Sequence, residues 1–271
     1  MNYKDITAII TTFRSEHKIN SCINSLPSSM QIIVIENSND KNFQKELINK
    51  YQNVDCILTG ENKGYATANN IGLAKVKTKF ALILNPDVVL EKDCIDNFLI
   101  SAKNYNDFWL IGSSSNHNQE KIFEADYIKG HLMFFNLQKF NNQFFDENYF
   151  LYLEEIDLCK IVKKKNGKIF QDPSLKVTHE GAQSVNTNLK LELEKNRNWH
   201  WMWSTYYFQK KHNGLFIALI IIFPKIISSL LKMIFFLLIF NKNKRDIYFS
   251  RLSGIFNSVL GKKSWRRPSI D

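Results

Sequence analysis

Short apolar runs alternate with stretches of helical spacing through the first hundred residues. Residues 6–10, 31–35, 54–58 and 80–84 read as strands; residues 17–26 (closed by Pro27), 42–51 and 67–75 read as helices. That alternation predicts an α/β fold whose mostly parallel, doubly wound central sheet is flanked by helices. Ligands of such sheets bind at the carboxyl ends of the strands, which directs attention to the polar residues at 11–14, 36–40 and 85–87. Beyond about residue 105 the alternation weakens. Strands are expected at 132–136, 168–171 and 175–178, a helix at 154–165, and a longer helix at 189–211 stopped by Asn213-Gly214.

Residues 215–240 are the most apolar part of the chain, but Pro224 and Lys225 interrupt them. Lys225, Ser228, Ser229 and Lys232 fall at i, i+3, i+4 and i+7, a polar stripe on a helix otherwise made of Ile, Leu, Met and Phe. A lysine at the bilayer centre costs about 2.5–3.5 kcal/mol, so this pattern suits the membrane interface better. A second helix is expected to carry Tyr248, Leu252, Ile255, Phe256 and Val259 on its apolar face, with Arg251 and Asn257 away from it. The chain then runs Lys262-Lys263-Ser264-Trp265-Arg266-Arg267, a basic cluster around an interfacial aromatic. The reading is a helical, membrane-associating tail over 214–271. Packing on the body, a dimer seam, a kinked span or a re-entrant hairpin are its alternatives.

Charge sharpens this division. Residues 1–200 hold 24 Lys+Arg and 24 Asp+Glu, whereas residues 201–271 hold 12 and 2, so the whole net charge of +10 sits in the tail. A neutral body with a basic, aliphatic tail argues against nucleic acid, which would need a stacking platform, and for an anionic surface met by the C-terminal part. Cys22, Cys56, Cys94 and Cys159 form no metal or disulfide pattern and read as reduced thiols of a cytoplasmic protein. The N-terminal apolar run is too short for a secretory signal.

Four constellations carry candidate chemistry. Asn85-Pro86-Asp87 follows the fourth strand, where a carboxylate can hold a divalent cation against a diphosphate. Alone it is also ordinary turn chemistry. In the run Asn62-Lys63-Gly64-Tyr65-Ala66-Thr67-Ala68-Asn69-Asn70-Ile71-Gly72 a glycine turn opens a helix of small residues, which permits close backbone approach and favours an anion at the helix start. It is neither a dinucleotide nor a Walker-type phosphate motif. Between Phe145 and Cys159 five acids, among them Glu154, Glu155 and Asp157, stand among aromatics. A helix N-terminus accommodates one or two of them, and an apolar wall raises a carboxylate's pKa for base work. His179 ends a strand ahead of Glu180 and Gly181, and Gln183 rules out a zinc HExxH.

In this order the four elements resemble the family-2 glycosyltransferases with their GT-A fold, most closely the rhamnosyltransferase-like enzymes of cell-surface polysaccharide assembly. The resemblance runs from Ile6 to about Ser184 and more loosely through Ser204, Tyr207, Lys211 and Gly214. It implies that Thr12, Phe13 and Arg14 line the base pocket of a nucleotide, and that Glu36 and Asn37 take the place of an Asp-Asn pair contacting base or ribose. It implies that Asn62, Gly64, Asn69 and Gly72 shape the nucleotide-sugar site, with Asn85 and Asp87 in a variant DxD motif and Asp87 as metal ligand. By the same resemblance Gly130 would lie beside the acceptor, Glu155 would be the general base next to Glu154 with Asp157 as a second candidate, and His179 would complete the metal site with Ser184 closing the motif.

The implied activity is inverting transfer from a nucleoside-diphosphate sugar, dTDP-rhamnose or a UDP-sugar, with Mn2+ or Mg2+ as cofactor. The implied acceptor is a saccharide on a polyprenyl diphosphate lipid. Residues 1–213 are read as the catalytic domain (1–105 binding nucleotide, 106–213 acceptor) and 214–271 as the anchor, at the cytoplasmic face of the plasma membrane. Glu36 for Asp and Glu155 for Asp depart from the pattern, which keeps a non-catalytic membrane-docking protein of the same fold as the alternative. A sugar-nucleotide pyrophosphorylase lacks support, because Thr11-Thr12-Phe13-Arg14 stands where its glycine- and arginine-rich loop belongs.

Overall fold

In a computed structural model the described residues are 1–114, 119–179 and 187–267, with residues 179 and 187–189 described by their backbone alone. Ser184, singled out above, lies outside them, as do Glu180, Gly181 and Gln183. The chain falls into two compact units, residues 1–146 with 155–182, and residues 147–154 with 183–271. Residues on both sides of position 213 lie in the second unit, whose long helix is broken at Gly214.

The first unit begins β1 (Ile6–Thr12), α1 (Glu16–Asn24), β2 (Gln31–Glu36), α2 (Lys41–Lys50), β3 (Val54–Leu58), α3 (Gly64–Leu73) and β4 (Phe80–Leu84). It continues with β5 (Val88–Leu90), α4 (Cys94–Asn104), β6 (Phe108–Ser113), β7 (Phe123–Glu124), β8 (Leu132–Asn136), α5 (Glu154–Lys164), β9 (Lys168–Asp172) and β10 (Val177–His179). The main sheet has the order β3-β2-β1-β4-β8-β6-β9-β7. β1 lies parallel to both β2 and β4, β2 to β3, and β6 to β9. Strand β8 inserts antiparallel between β4 and β6, and β7 pairs antiparallel with β9 at the edge. This insertion explains why the alternation fades after residue 105: an antiparallel strand needs no crossover helix before it.

The central strands are apolar without alternation because both faces are covered. Every residue of β4 and β8 is buried, as are Ile6 through Ile10 of β1. Phe80, Phe98, Phe108 and Phe134 stack with centroids 4.8–5.9 Å apart at the centre of this core. The small antiparallel pair β10-β5 stands apart from the main sheet, with Val177 opposite Leu90 and His179 opposite Val88.

The second unit is built on α6 (Thr187–Leu238) and α7 (Lys242–Val259). Gly214 (φ 84°, ψ 169°) breaks α6 into two limbs at the predicted stop, and Pro224 lies within the second limb. Met202, Tyr206, Ala218, Ile222 and Ile255 form its core. The buried side of α7 is Ser250, Leu252, Gly254, Ile255 and Ser258, while Phe256 and Val259 are exposed, so the expected apolar face is displaced. Small residues won because the helices approach closely: a Cβ at Gly254 would overlap the Trp199 carbonyl oxygen. Side chains stitch the same seam, Trp199 Nε1 donating to Ser253 Oγ (3.2 Å) and Ser258 Oγ to the Trp203 carbonyl (2.9 Å).

His200 is fully buried in this unit, stacked on Phe150. Its Nε2 lies 2.8 Å from the Arg266 carbonyl, which can only accept, so Nε2 carries the proton and Nδ1 faces the Ser264 hydroxyl at 2.8 Å. Burial first, then the charges of Arg267 and Arg266, push its pKa down to about 3. The neutral ring is therefore the folded form, and its stabilising contribution is complete above the unfolded pKa of about 6.5 and is lost as pH falls toward 3. Urea unfolding followed by tryptophan fluorescence should show stability dropping by at most about 1.4 kcal/mol per pH unit below pH 6.5 from this group. His200→Gln should flatten that slope, and an identical slope in the variant would show that other groups cause it.

Candidate active site

The candidate residues of the first unit gather at the carboxyl ends of β1, β2 and β4, as the doubly wound topology requires. Thr12 closes β1. It is 1% exposed, and its Oγ1 is buried with no hydrogen-bond partner. A buried hydroxyl left unsatisfied costs about 1–3 kcal/mol. Phe13 follows, its carbonyl accepting from Ser15 Oγ at 3.1 Å. Arg14 sits at φ 50° and donates its backbone N–H to Ser38 Oγ at 2.7 Å.

Glu36 ends β2 and is fully buried. Its two carboxylate oxygens accept the backbone N–H groups of Ser38 and Asp40, each at 2.7 Å. The extra methylene of Glu relative to Asp thus turns the carboxylate back onto its own loop, where it shapes the turn leading into α2. Asn37 does the same for the next loop. Its Oδ1 accepts from Thr59 Oγ1 (3.0 Å) and the Lys63 N–H (3.3 Å), and its Nδ2 donates to the Gly64 carbonyl (3.3 Å). Asn62 Oδ1 accepts the Gly64 N–H at 3.0 Å, and Gly64 takes φ 81°, a conformation that favours glycine. Helix α3 therefore starts three residues before its predicted position. Asn69 is fully buried, accepting from Thr11 Oγ1 (3.0 Å) and donating to the Tyr65 carbonyl (3.0 Å), so it locks α3 to the end of β1. Gly72 lets α3 lie on β1, since a Cβ there would meet Ile9 Cγ2 at 2.6 Å.

Asn85 follows β4. Its N–H donates to the His131 carbonyl at 3.0 Å, extending the β4–β8 ladder by one residue, and its carbonyl lies 3.6 Å from Cys22 Sγ. Asp87 begins the turn into β5, and its charge adds to burial in raising the Cys22 thiol to about 12. The β5–β10 ladder sets His179 directly across from Val88, one residue along the chain from Asp87. Ninety-two positions of sequence are thus closed to neighbouring backbone. Among the described residues no three His, Cys, Asp or Glu side chains gather in a metal-binding group, the side chain of His179 not being among them.

A second focus lies around Gly130. The Tyr65 hydroxyl donates to the Gly130 carbonyl, and a Cβ at Gly130 would meet Tyr65 Oη at 3.4 Å and Glu155 Cγ at 3.5 Å. Gly130 therefore leaves room for two polar groups to face one small space. Asn70 pins the loop ahead of α5 by a double hydrogen bond to the backbone of Phe145, at 2.9 and 3.0 Å. Burial raises the pKa of Glu155, partly offset by backbone N–H groups at the start of α5. Asp157 is fully buried, whereas Glu155 keeps partial exposure. Glu154, also buried, clusters with the helical unit.

Within that helical unit, Tyr152 (φ 73°) and Leu153 (φ 69°) are consecutive non-glycine residues in the left-handed region. Such residues cost of order 1–3 kcal/mol each and persist where surroundings over-determine them. Here Ser204 Oγ donates to the Leu151 carbonyl (2.9 Å) and Trp201 packs edge-on against Tyr152 (5.6 Å). Tyr65 and His131, which contact Gly130 and Asn85, were not among the expected site residues, though each is adjacent to a glycine of the motifs described above.

The glycosyl transferase family 2 description matches residues 7–158. The low-salt glycan biosynthesis hexosyltransferase Agl10 of Haloferax volcanii is 22% identical over 207 residues, covering 65% of this chain and 67% of that one. A teichoic acid poly(glycerol phosphate) polymerase of Staphylococcus epidermidis is 27% identical over 147 residues, 51% of this chain but only 20% of its own. The fold is similar to that of the mannosyltransferase PcManGT from Pyrobaculum calidifontis, solved with GDP-Man and Mn2+, at TM-score 0.59 and 11% identity over 96% of this chain and 88% of that one. With more than half of the chain matched, and the residues from Thr12 to Asp157 inside the match, this protein belongs to glycosyl transferase family 2 and is a glycosyltransferase of GT-A fold.

Proposed function

We propose that the protein transfers a sugar, with inversion, from a nucleoside-diphosphate sugar to a lipid-linked saccharide during cell-surface polysaccharide synthesis. The observation that carries this reading is the β5–β10 ladder, which brings the backbone of His179 beside Asp87 at the end of the sheet. Thr12, Arg14 and the loops held by Glu36 and Asn37 would receive the nucleotide, the orphaned Thr12 hydroxyl gaining a partner. Asp87 and His179 offer the carboxylate and imidazole that suit manganese, with magnesium as a substitute. A divalent cation held there would offset negative charge on the departing diphosphate.

Glu155 is the base in this scheme. Its raised pKa strengthens it as a proton acceptor, and of the three acids it alone keeps partial exposure. The carboxylate takes the proton of an acceptor hydroxyl as that oxygen attacks the anomeric carbon. The bond from that carbon to the diphosphate oxygen breaks, and its electron pair leaves with the nucleotide. Tyr65, hydrogen-bonded to Gly130, faces the same space and helps to orient the acceptor.

The helical unit supports membrane attachment. One window of α6 is long and apolar enough to cross a membrane, and only 17% of it is buried. Phe216, Phe223, Leu231 and Leu238 are all more than 60% exposed. Lys225 within this surface favours a helix lying at the cytoplasmic interface.

Three outcomes test the reading. Glu155→Gln should lower kcat/KM by about 10²–10⁴-fold on a panel of nucleotide sugars, and the acid limb of the wild-type pH profile should lie above the ordinary carboxylate range. Asp87→Asn should cut turnover on the order of 100-fold and raise the Mn2+ concentration needed for half-activity; unchanged metal dependence removes the ligand assignment. Phe216→Glu combined with Leu231→Glu should abolish flotation with anionic liposomes while leaving hydrolysis of the sugar donor intact.

A further inference from the structure

A cleft of about 580 Å³ opens in the helical unit, lined by Ile221, Pro224, Lys225, Ser228 and Arg251. It lies where Pro224 removes one N–H from the α6 ladder and the face of α7 carrying Arg251 comes alongside. Arg251 is held in place by neutral acceptors only, Nε donating to Ser229 Oγ (3.3 Å) and a terminal nitrogen to Asn198 Oδ1 (2.9 Å). Ser229 is itself buried, so the guanidinium is fixed on a rigid support with donors to spare. Among the described residues no carboxylate pairs with Lys225 or Arg251. The next lysine of the stripe is differently occupied: Lys232 lies over the Tyr248 ring at 5.5 Å. Two positive charges and a hydroxyl thus converge on one opening.

The limb of α6 that carries Lys225 and Ser228 also exposes a flanking apolar surface, with Ile220, Phe223, Ile227 and Leu231 open to solvent. A soluble anion would use the cations but gain nothing from this surface, whereas a lipid would use both. We infer that the Lys225–Ser228–Arg251 cleft binds a lipid-borne phosphate, its chains lying along the exposed limb of α6. Two uncompensated cations match a headgroup near charge −2, a phosphomonoester or a diphosphate, better than the single charge of a phosphodiester. The inference rests on the membrane reading of the tail and identifies within it the acceptor's anchoring group.

The test is flotation of the full-length protein with phosphatidylcholine vesicles containing phosphatidic acid, a polyprenyl diphosphate, or phosphatidylglycerol, matched in surface charge. Wild type should bind the first two at least tenfold more tightly than the third. Lys225→Gln with Arg251→Gln should erase the preference while binding to phosphatidylglycerol stays within twofold. Lys225→Gln alone, at a site without structural hydrogen bonds, should reduce it several-fold and guards against misfolding of the double variant. Equal binding to all three vesicles overturns the inference and leaves membrane attachment standing. Binding to none overturns both. Displacement from phosphatidic acid vesicles by equimolar inorganic phosphate would mean that the cleft takes a free anion, which also overturns it.

Discussion

Three backbone-paired residues on either side, Val88–Leu90 against Val177–His179, join two segments far apart in the chain. On the proposed reading this short ladder is what makes one site of a turn carboxylate, Asp87, and a strand-end histidine, His179. The ladder is possible because β5 leaves the main sheet immediately after β4, offering its backbone to a strand that returns from far along the chain. Val88 and Leu90 are buried, so hydrophobic burial fixes the register that the hydrogen bonds complete.

The same logic of side chains spent on backbone recurs around the site. Glu36, Asn37, Asn69 and Asn70 are polar groups whose hydrogen bonds hold loops and helix starts in place. Buried polar groups with complete partners rigidify their surroundings. Against this background Thr12 has a buried hydroxyl without a partner, and Glu155 a partly exposed carboxylate whose pKa burial raises.

The helical unit solves a different problem. Small residues on α7 allow tight packing against α6, and a buried neutral histidine ties the basic segment that follows α7 back onto it. The large side chains are left outside, where water gives no reason for them to be. Charge reinforces the point: the residues that make the protein basic are in the unit that exposes its apolar surface.

Much of this was legible in the chain. Apolar runs without alternation announced β1, β2 and β4 as strands buried on both faces, and Asn213-Gly214 marked the break in α6, because both signals are local. The glycine ahead of Tyr65 and the acids at the start of α5 were visible for the same reason. Tertiary structure decided the rest. Which face of α7 is buried depended on how closely Trp199 approaches Gly254, a contact between helices that periodicity cannot register. That Glu36 turns inward depended on N–H groups two and four residues on being presented by the folded loop. The meeting of residues 88 and 179 is a pairing across about a third of the chain, and its register belongs to the folded sheet and not to any local pattern.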